Sequence, residues 1–265
     1  KTMAMATGER MRKFLKVLGL LVVAAAALVA LAWWWYLRAD PMTLPALPGA
    51  VQTGSLEHEG HERSWLAYIP AARAPHPALV LVMHGSMGTG AQMRDMTRYG
   101  FDVLAERHGF IAVYPDGYQQ HWNDCRGSAD YAAKLENIDD VGFLRALVRR
   151  LVDEHGVDPT RVFATGLSNG GQMAYRLGLE APDLVAGIAS MAASLPVPAN
   201  LDCQPSGNPV AAMVMNGTAD PVNPYAGGLV EIFGNASRGS VLSSAATAGY
   251  WADLAGYSGE GERHR

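Results

Sequence analysis

Apolar residues fall along this chain in two regimes. From Val17 to Leu37 they run unbroken by any charge, and beyond Val51 they come in short blocks set off by turn residues. Residues 52–59 and 62–69 read as two short strands split by Gly60, an antiparallel start to a sheet. The apolar runs at 78–83, 110–114, 161–165, 185–191 and 209–215 suit strands covered on both faces. Between them, Met93, Met96, Phe101, Leu104 and Ala105 recur at helical spacing within 91–108. Val141, Leu144, Leu147, Val148 and Leu151 form the stripe of a helix over 137–154, with Arg145, Arg149 and Arg150 mostly off it. Asp139 and Asp140 fall in its first turn, where carboxylates meet unsatisfied N–H groups; capping is preferred there to a catalytic pair. Residues 243–255 read as a last helix carrying Tyr250, Trp251 and Leu254. This alternation predicts one α/β domain with a mostly parallel sheet and helices on both faces.

The N-terminal run is long enough to cross a membrane as a helix. Arg10, Arg12, Lys13 and Lys16 precede it, which places the start inside and the remaining chain outside. Either it is a signal peptide cleaved after Ala30-Leu31-Ala32, or Trp33 to Tyr36 form the aromatic belt of an uncleaved anchor. Both export the domain, to the periplasm or beyond, and the second holds it at the inner membrane. The expected organisation is a basic segment 1–16, a signal or anchor 17–37, a Pro-rich linker 38–50 and a globular domain 51–265.

Composition narrows this further. The 265 residues are 49% hydrophobic and 17% charged, enough for one sizeable core, and a net charge of -4 without a basic block gives no nucleic-acid surface. Cys125 and Cys203 are an even pair in an exported chain, read as a disulfide or as two separate thiols; without histidine spacing they are no zinc site. Neither a metal nor another cofactor is expected.

The chemistry centres on Gly166-Leu167-Ser168-Asn169-Gly170-Gly171, where an apolar run enters a tight turn and a helical pattern leaves it. That is the strand, turn and helix of a nucleophile elbow, with Ser168 lifted above the sheet. A serine hydroxyl needs a base, and the base an orienting carboxylate. Asp220 follows the next strand but one, at the carboxyl end where ligands gather; Asp202 and Asp253 are worse placed. The oxyanion needs two N–H donors, one from Asn169 and one from the loop His84-Gly85-Ser86-Met87-Gly88. Ser86 is the expected donor there and Met87 the alternative, with His84 bracing the loop. The polar connection 118–136, with His121, Trp122, Asn123 and Asp124, reads as a wall of the binding cleft or as a disulfide-tied surface loop.

Several of these motifs together carry a resemblance. His84-Gly85, Tyr114-Pro115-Asp116-Gly117, Trp122-Asn123-Asp124-Cys125-Arg126, Asp139-Asp140, the Ser168 elbow and Gly217-Thr218-Ala219-Asp220-Pro221 stand in order. In this the chain resembles the polyhydroxybutyrate depolymerase and feruloyl esterase family, over about residues 55–251. The resemblance implies an α/β-hydrolase fold and hydrolysis of an ester through a Ser-Asp-His triad without metal. Carried over, Ser168 is the nucleophile and Asp220 the acid, and Cys125 and Cys203 stand where a family disulfide is expected. The family's triad histidine follows one more strand in a Gly-His stretch. Only eleven residues follow Leu254, so the expectation is that the last strand and the histidine loop lie beyond residue 265 and that His264 is not the base. Two other readings share these residues: a peptidase of the prolyl-oligopeptidase type, and a membrane-tethered binding protein on a hydrolase scaffold.

Overall fold

The structure, a computed structural model, describes residues 2–37, 43–232, 234–259 and 261. The chain divides into two units, residues 1–43 and 44–265. The first unit is a helix, α1 (Thr2–Ala32), continued by a single π-helical turn over Trp33–Leu37. Its stretch Met11–Tyr36, 26 residues of mean hydropathy 2.6, is long and apolar enough to cross a membrane. At 1.5 Å per residue it spans about 39 Å, more than the hydrocarbon core needs. Residues 38–42 of the expected linker lie outside the described residues.

The second unit is built on a seven-stranded sheet. Its strands are β1 (Ala50–His58), β2 (His61–Ile69), β3 (Leu79–Met83), β4 (Ile111–Pro115), β5 (Val162–Leu167), β6 (Gly187–Met191) and β7 (Ala211–Met215). They lie in the order β1-β2-β4-β3-β5-β6-β7. The β1–β2 hairpin joins β4 antiparallel, and every other neighbour pair is parallel. A small hairpin, β8 (Gly228–Leu229) and β9 (Ser240–Val241), stands apart. The helices are α2 (Gly90–Met96), α3 (Gly100–His108), the short α4 (Ala132–Leu135), α5 (Asp140–His155), α6 (Asn169–Glu180) and α7 (Ser244–Leu254). The helical pattern over 91–108 resolves into two helices, because Arg98 and Tyr99 turn the chain with φ of 51° and 57°.

The two faces of the sheet are covered unequally. On one, the apolar stripes of α5 and α6 pack with Trp251 of α7 on Leu79, Leu81, Ile111, Val113 and Val162. On the other, Met93 of α2 and Ala105 of α3 pack on Tyr68, Val82, Ala112 and Tyr114. Beyond β3 nothing among the described residues covers this second face. Phe163 is 40% exposed and Met213 56% exposed, and they line an apolar hollow of about 540 Å³ over β5, β6 and β7. In the described residues β7 is the edge strand.

Asp139 and Asp140 do separate jobs. Asp139 caps α5, accepting from the Gly142 N–H at 2.9 Å, and also bonds His58 Nε2 at 2.9 Å. Asp140 is 1% exposed and pairs with Arg63 of β2, 3% exposed, at 2.6 Å, while its other oxygen accepts from the Asn123 N–H. Arg63 also lies over the Phe143 ring, 4.1 Å from its centroid. Removing one partner of a buried pair strands the other charge. Asp140→Ala is therefore expected to cost about 3–5 kcal/mol, read as a lowered urea midpoint, whereas a surface carboxylate such as Asp183 should cost under about 1 kcal/mol.

Candidate active site

Ser168 sits between β5 and α6 with φ 54° and ψ -113°, a conformation that costs a non-glycine residue about 1–3 kcal/mol. Its N–H is pinned to the Met191 carbonyl of β6 at 2.8 Å. The flanking glycines are dictated by approach. A Cβ on Gly166 would run into the backbone of Gly170, and one on Gly170 into the Met83 and His84 carbonyls at the end of β3. The turn is therefore as tight as the sequence pattern requires, and it lifts the Ser168 side chain into a cleft of about 700 Å³. Met87, Met93, Met96, Leu167, Val222 and Ile232 give that cleft an apolar wall.

The loop after β3 supplies the candidate oxyanion donors. The Met87 N–H is taken by the Gln120 carbonyl at 2.9 Å, and the Gly88 N–H by Gly85 at 3.1 Å. Ser86 N–H has no acceptor among the described residues, and Ser86 lines the cleft beside Ser168. Asn169 is the first residue of α6, where N–H groups have no intrahelical acceptor. Of the two alternatives in this loop, Ser86 is the one whose N–H is left without an acceptor among the described residues.

His84 is 1% exposed and held at both nitrogens. Nε2 accepts from the Gly117 N–H at 2.9 Å, so Nδ1 carries the proton and donates to the Gly85 carbonyl at 2.7 Å. Burial pushes its pKa below the ordinary histidine value, against the pull of the Gly85 carbonyl. An imidazole bonded in this way braces the loop and is not free to act as a base. Its C–H resonances should show a neutral ring at pH 6.5, and half-protonation there would contradict the assignment. Because the folded pKa is depressed, the stability linked to His84 is present above about pH 6.5 and is lost as the pH falls below it.

Asp220 lines the same cleft, in the loop after β7. Its Oδ1 accepts from the N–H groups of Val222 at 2.8 Å and Asn223 at 2.9 Å, and its Oδ2 has no partner among the described residues. That loop rests on a buried polar cluster that sequence reasoning did not single out. Asn216 donates to Ser194 Oγ and Ser244 Oγ and accepts from the Ala193 N–H, and Asn223 Nδ2 reaches Ser194 Oγ. Nothing in the pattern around Ser194 or Asn216 marks them beforehand. Of the histidines in the described residues, His84 alone lines the cleft, and His264 lies outside them.

The connection 118–136 contributes no residue to the cleft lining. It backs the site instead. Trp122 and Asp124 are 0% exposed, and Asp124 gathers Arg126, Tyr131 and Asn169 around one carboxylate. Burial pushes that carboxyl up, but Arg126 and Tyr131 bring it below the ordinary value on balance. Cys125 and Cys203 are joined as a disulfide with Cα atoms 4.9 Å apart, which ties this connection to the segment before β7.

The esterase PHB depolymerase family matches residues 63–222, more than half of the chain. The chain belongs to that family. The poly(3-hydroxybutyrate) depolymerase of Ralstonia pickettii is 32% identical over 187 residues, 66% of this chain and 37% of that protein. Feruloyl esterase B of Neurospora crassa is 29% identical over 119 residues, 44% of this chain and 39% of that protein. The chain thus spans about two fifths of the length of the curated relatives it matches. The solved structure of native pOPH superposes with a TM-score of 0.53 at 18% identity, covering 68% of this chain and 73% of that one. That likeness is one of fold, and the fold of this family member is the α/β-hydrolase fold.

Proposed function

We propose that this family member is an exported serine hydrolase of carboxylic esters, working through an acyl-enzyme on Ser168. The observation that carries the reading is the strained Ser168 in a cleft that also holds the Ser86 N–H and Asp220 Oδ2, neither with a partner among the described residues. Ser168 Oγ would attack the ester carbonyl while a base takes its proton. The N–H groups of Ser86 and Asn169 would receive the negative charge that develops on the carbonyl oxygen. The alcohol then leaves with that proton, and water, activated by the same base, releases the acid. Asp220 would orient the base through Oδ2. With His84 held at both nitrogens, the imidazole has to come from outside the described residues.

Export is supported by the 26-residue apolar helix Met11–Tyr36 and by the Cys125–Cys203 disulfide, which suits an oxidising compartment. The relatives' names supply the substrate classes to try: a hydroxyalkanoate polyester and feruloyl esters. Among the described lining residues Asp220 is the one charged group, so neutral acyl groups suit the cleft better than anionic ones. The full-length protein should hydrolyse p-nitrophenyl butyrate and leave the matching peptide anilides untouched. Faster turnover of the anilides would replace the esterase reading with a peptidase.

A further inference from the structure

Asn169 enters the proposed chemistry only through its backbone N–H, yet its side chain is 0% exposed and fully bonded. Its Oδ1 accepts from the Trp122 N–H at 2.8 Å, and its Nδ2 donates to the Trp122 carbonyl at 3.0 Å and to Asp124 Oδ2 at 2.7 Å. Trp122 in turn donates from Nε1 to the His84 carbonyl at 3.0 Å. From that carbonyl the chain runs straight into Gly85 and Ser86. We propose that the Asn169 side chain is a positioning residue for the oxyanion hole, clamping Trp122 so that Trp122 fixes the loop presenting the Ser86 N–H. The inference rests on the ester-hydrolase reading above.

The physical need is specific. The two oxyanion donors sit on separate elements, the loop after β3 and the start of α6, and must converge on one oxygen. Asn169 carries one of them and, through its own side chain, holds the strut that fixes the other. The clamp has a defined orientation. Asp124 is an acceptor held by Arg126 and Tyr131, so the Asn169 amide must turn its NH₂ toward Asp124 and its oxygen toward the Trp122 N–H. The adjacent Gly117–His84 and Gln120–Met87 bonds belong to the same brace, since they join the same two loops.

The test compares Asn169→Ala, Trp122→Phe and the double variant in the full-length protein. Trp122→Phe keeps a ring but removes the donor to the His84 carbonyl. Each single variant is expected to lower kcat on p-nitrophenyl butyrate about 10- to 100-fold, the scale of a small misplacement of a reacting group, with KM within about threefold. The double variant should be little worse than the worse single, because both break one path. Hydrogen exchange at the Met87 and Gly88 amides should quicken about tenfold while exchange in β5 stays as it was. A purely packing role would lower the denaturation midpoint and leave kcat and the 84–88 amides unchanged, and that result overturns the proposal. If the unaltered protein hydrolyses no ester, the esterase reading fails separately, and the exchange measurement alone decides the clamp.

Discussion

Asp220→Asn is expected to lower kcat for ester hydrolysis about 10,000-fold with KM little changed. The magnitude follows from where the loop puts its hydrogen bonds. Oδ1 is held by the N–H groups of Val222 and Asn223, which need an acceptor. In Asp220→Asn the amide oxygen must therefore stay at that position, and the NH₂ group is forced to the place of Oδ2. It then presents a donor where the base needs an acceptor, which fixes the imidazole in the wrong tautomer. Because the turn keeps both of its bonds, the variant should unfold at the same urea concentration as the unaltered protein. A loss under about tenfold would remove Asp220 from the site.

Ser168→Ala should go further and take hydrolysis down about a millionfold, to what binding and the oxyanion donors alone provide. The backbone at this position offers a second check. Alanine at φ 54° and ψ -113° bears the same strain as serine, so Ser168→Ala should leave stability unchanged. Ser168→Gly removes the strained Cβ and should raise stability by about 1 kcal/mol or more while being equally inactive. Loss of activity with unchanged or higher stability is the signature of a residue held in a costly conformation for chemistry. A Ser168→Gly protein less stable than the unaltered one would contradict that.

The elbow was legible because its constraints are local. Gly166 is required by the backbone of Gly170 four residues on, Gly170 by the end of β3 that the elbow packs against, and β5 and α6 announce themselves by apolar pattern on either side. Strands β3 and β4 were legible for a similar reason, since burial on both faces writes a continuous apolar run; β5 and β7 carry the same signal, yet Phe163 and Met213 are exposed on one face, so the expectation of cover on both faces fails there. The break between α2 and α3 was not, because Arg98 and Tyr99 adopt positive φ without a glycine to signal it. Asp140 was read as a helix-start carboxylate, but its partner Arg63 lies 77 residues earlier on β2, a distance that no periodicity spans. Of the two readings of 118–136, a cleft wall or a disulfide-tied surface loop, the structure shows the disulfide tie and no residue in the cleft lining, but the segment packs inward. Its density of polar side chains marks hydrogen-bonding capacity, and only the fold shows that the capacity is turned inward, onto Asn169 and Asp140. In the loop after β3 the sequence already put Ser86 ahead of Met87 as the proposed donor, and the structure adds that the Gln120 carbonyl takes the Met87 N–H.

The proposed function requires Ser168 to be an activated nucleophile. The most direct measurement is to treat the full-length protein with a fluorophosphonate and map the adduct by peptide mass spectrometry. One adduct is expected, on the peptide containing Ser168, absent from Ser168→Ala and slowed in Asp220→Asn. A protein that hydrolyses esters while its adduct forms elsewhere, or that never labels at Ser168, would contradict it.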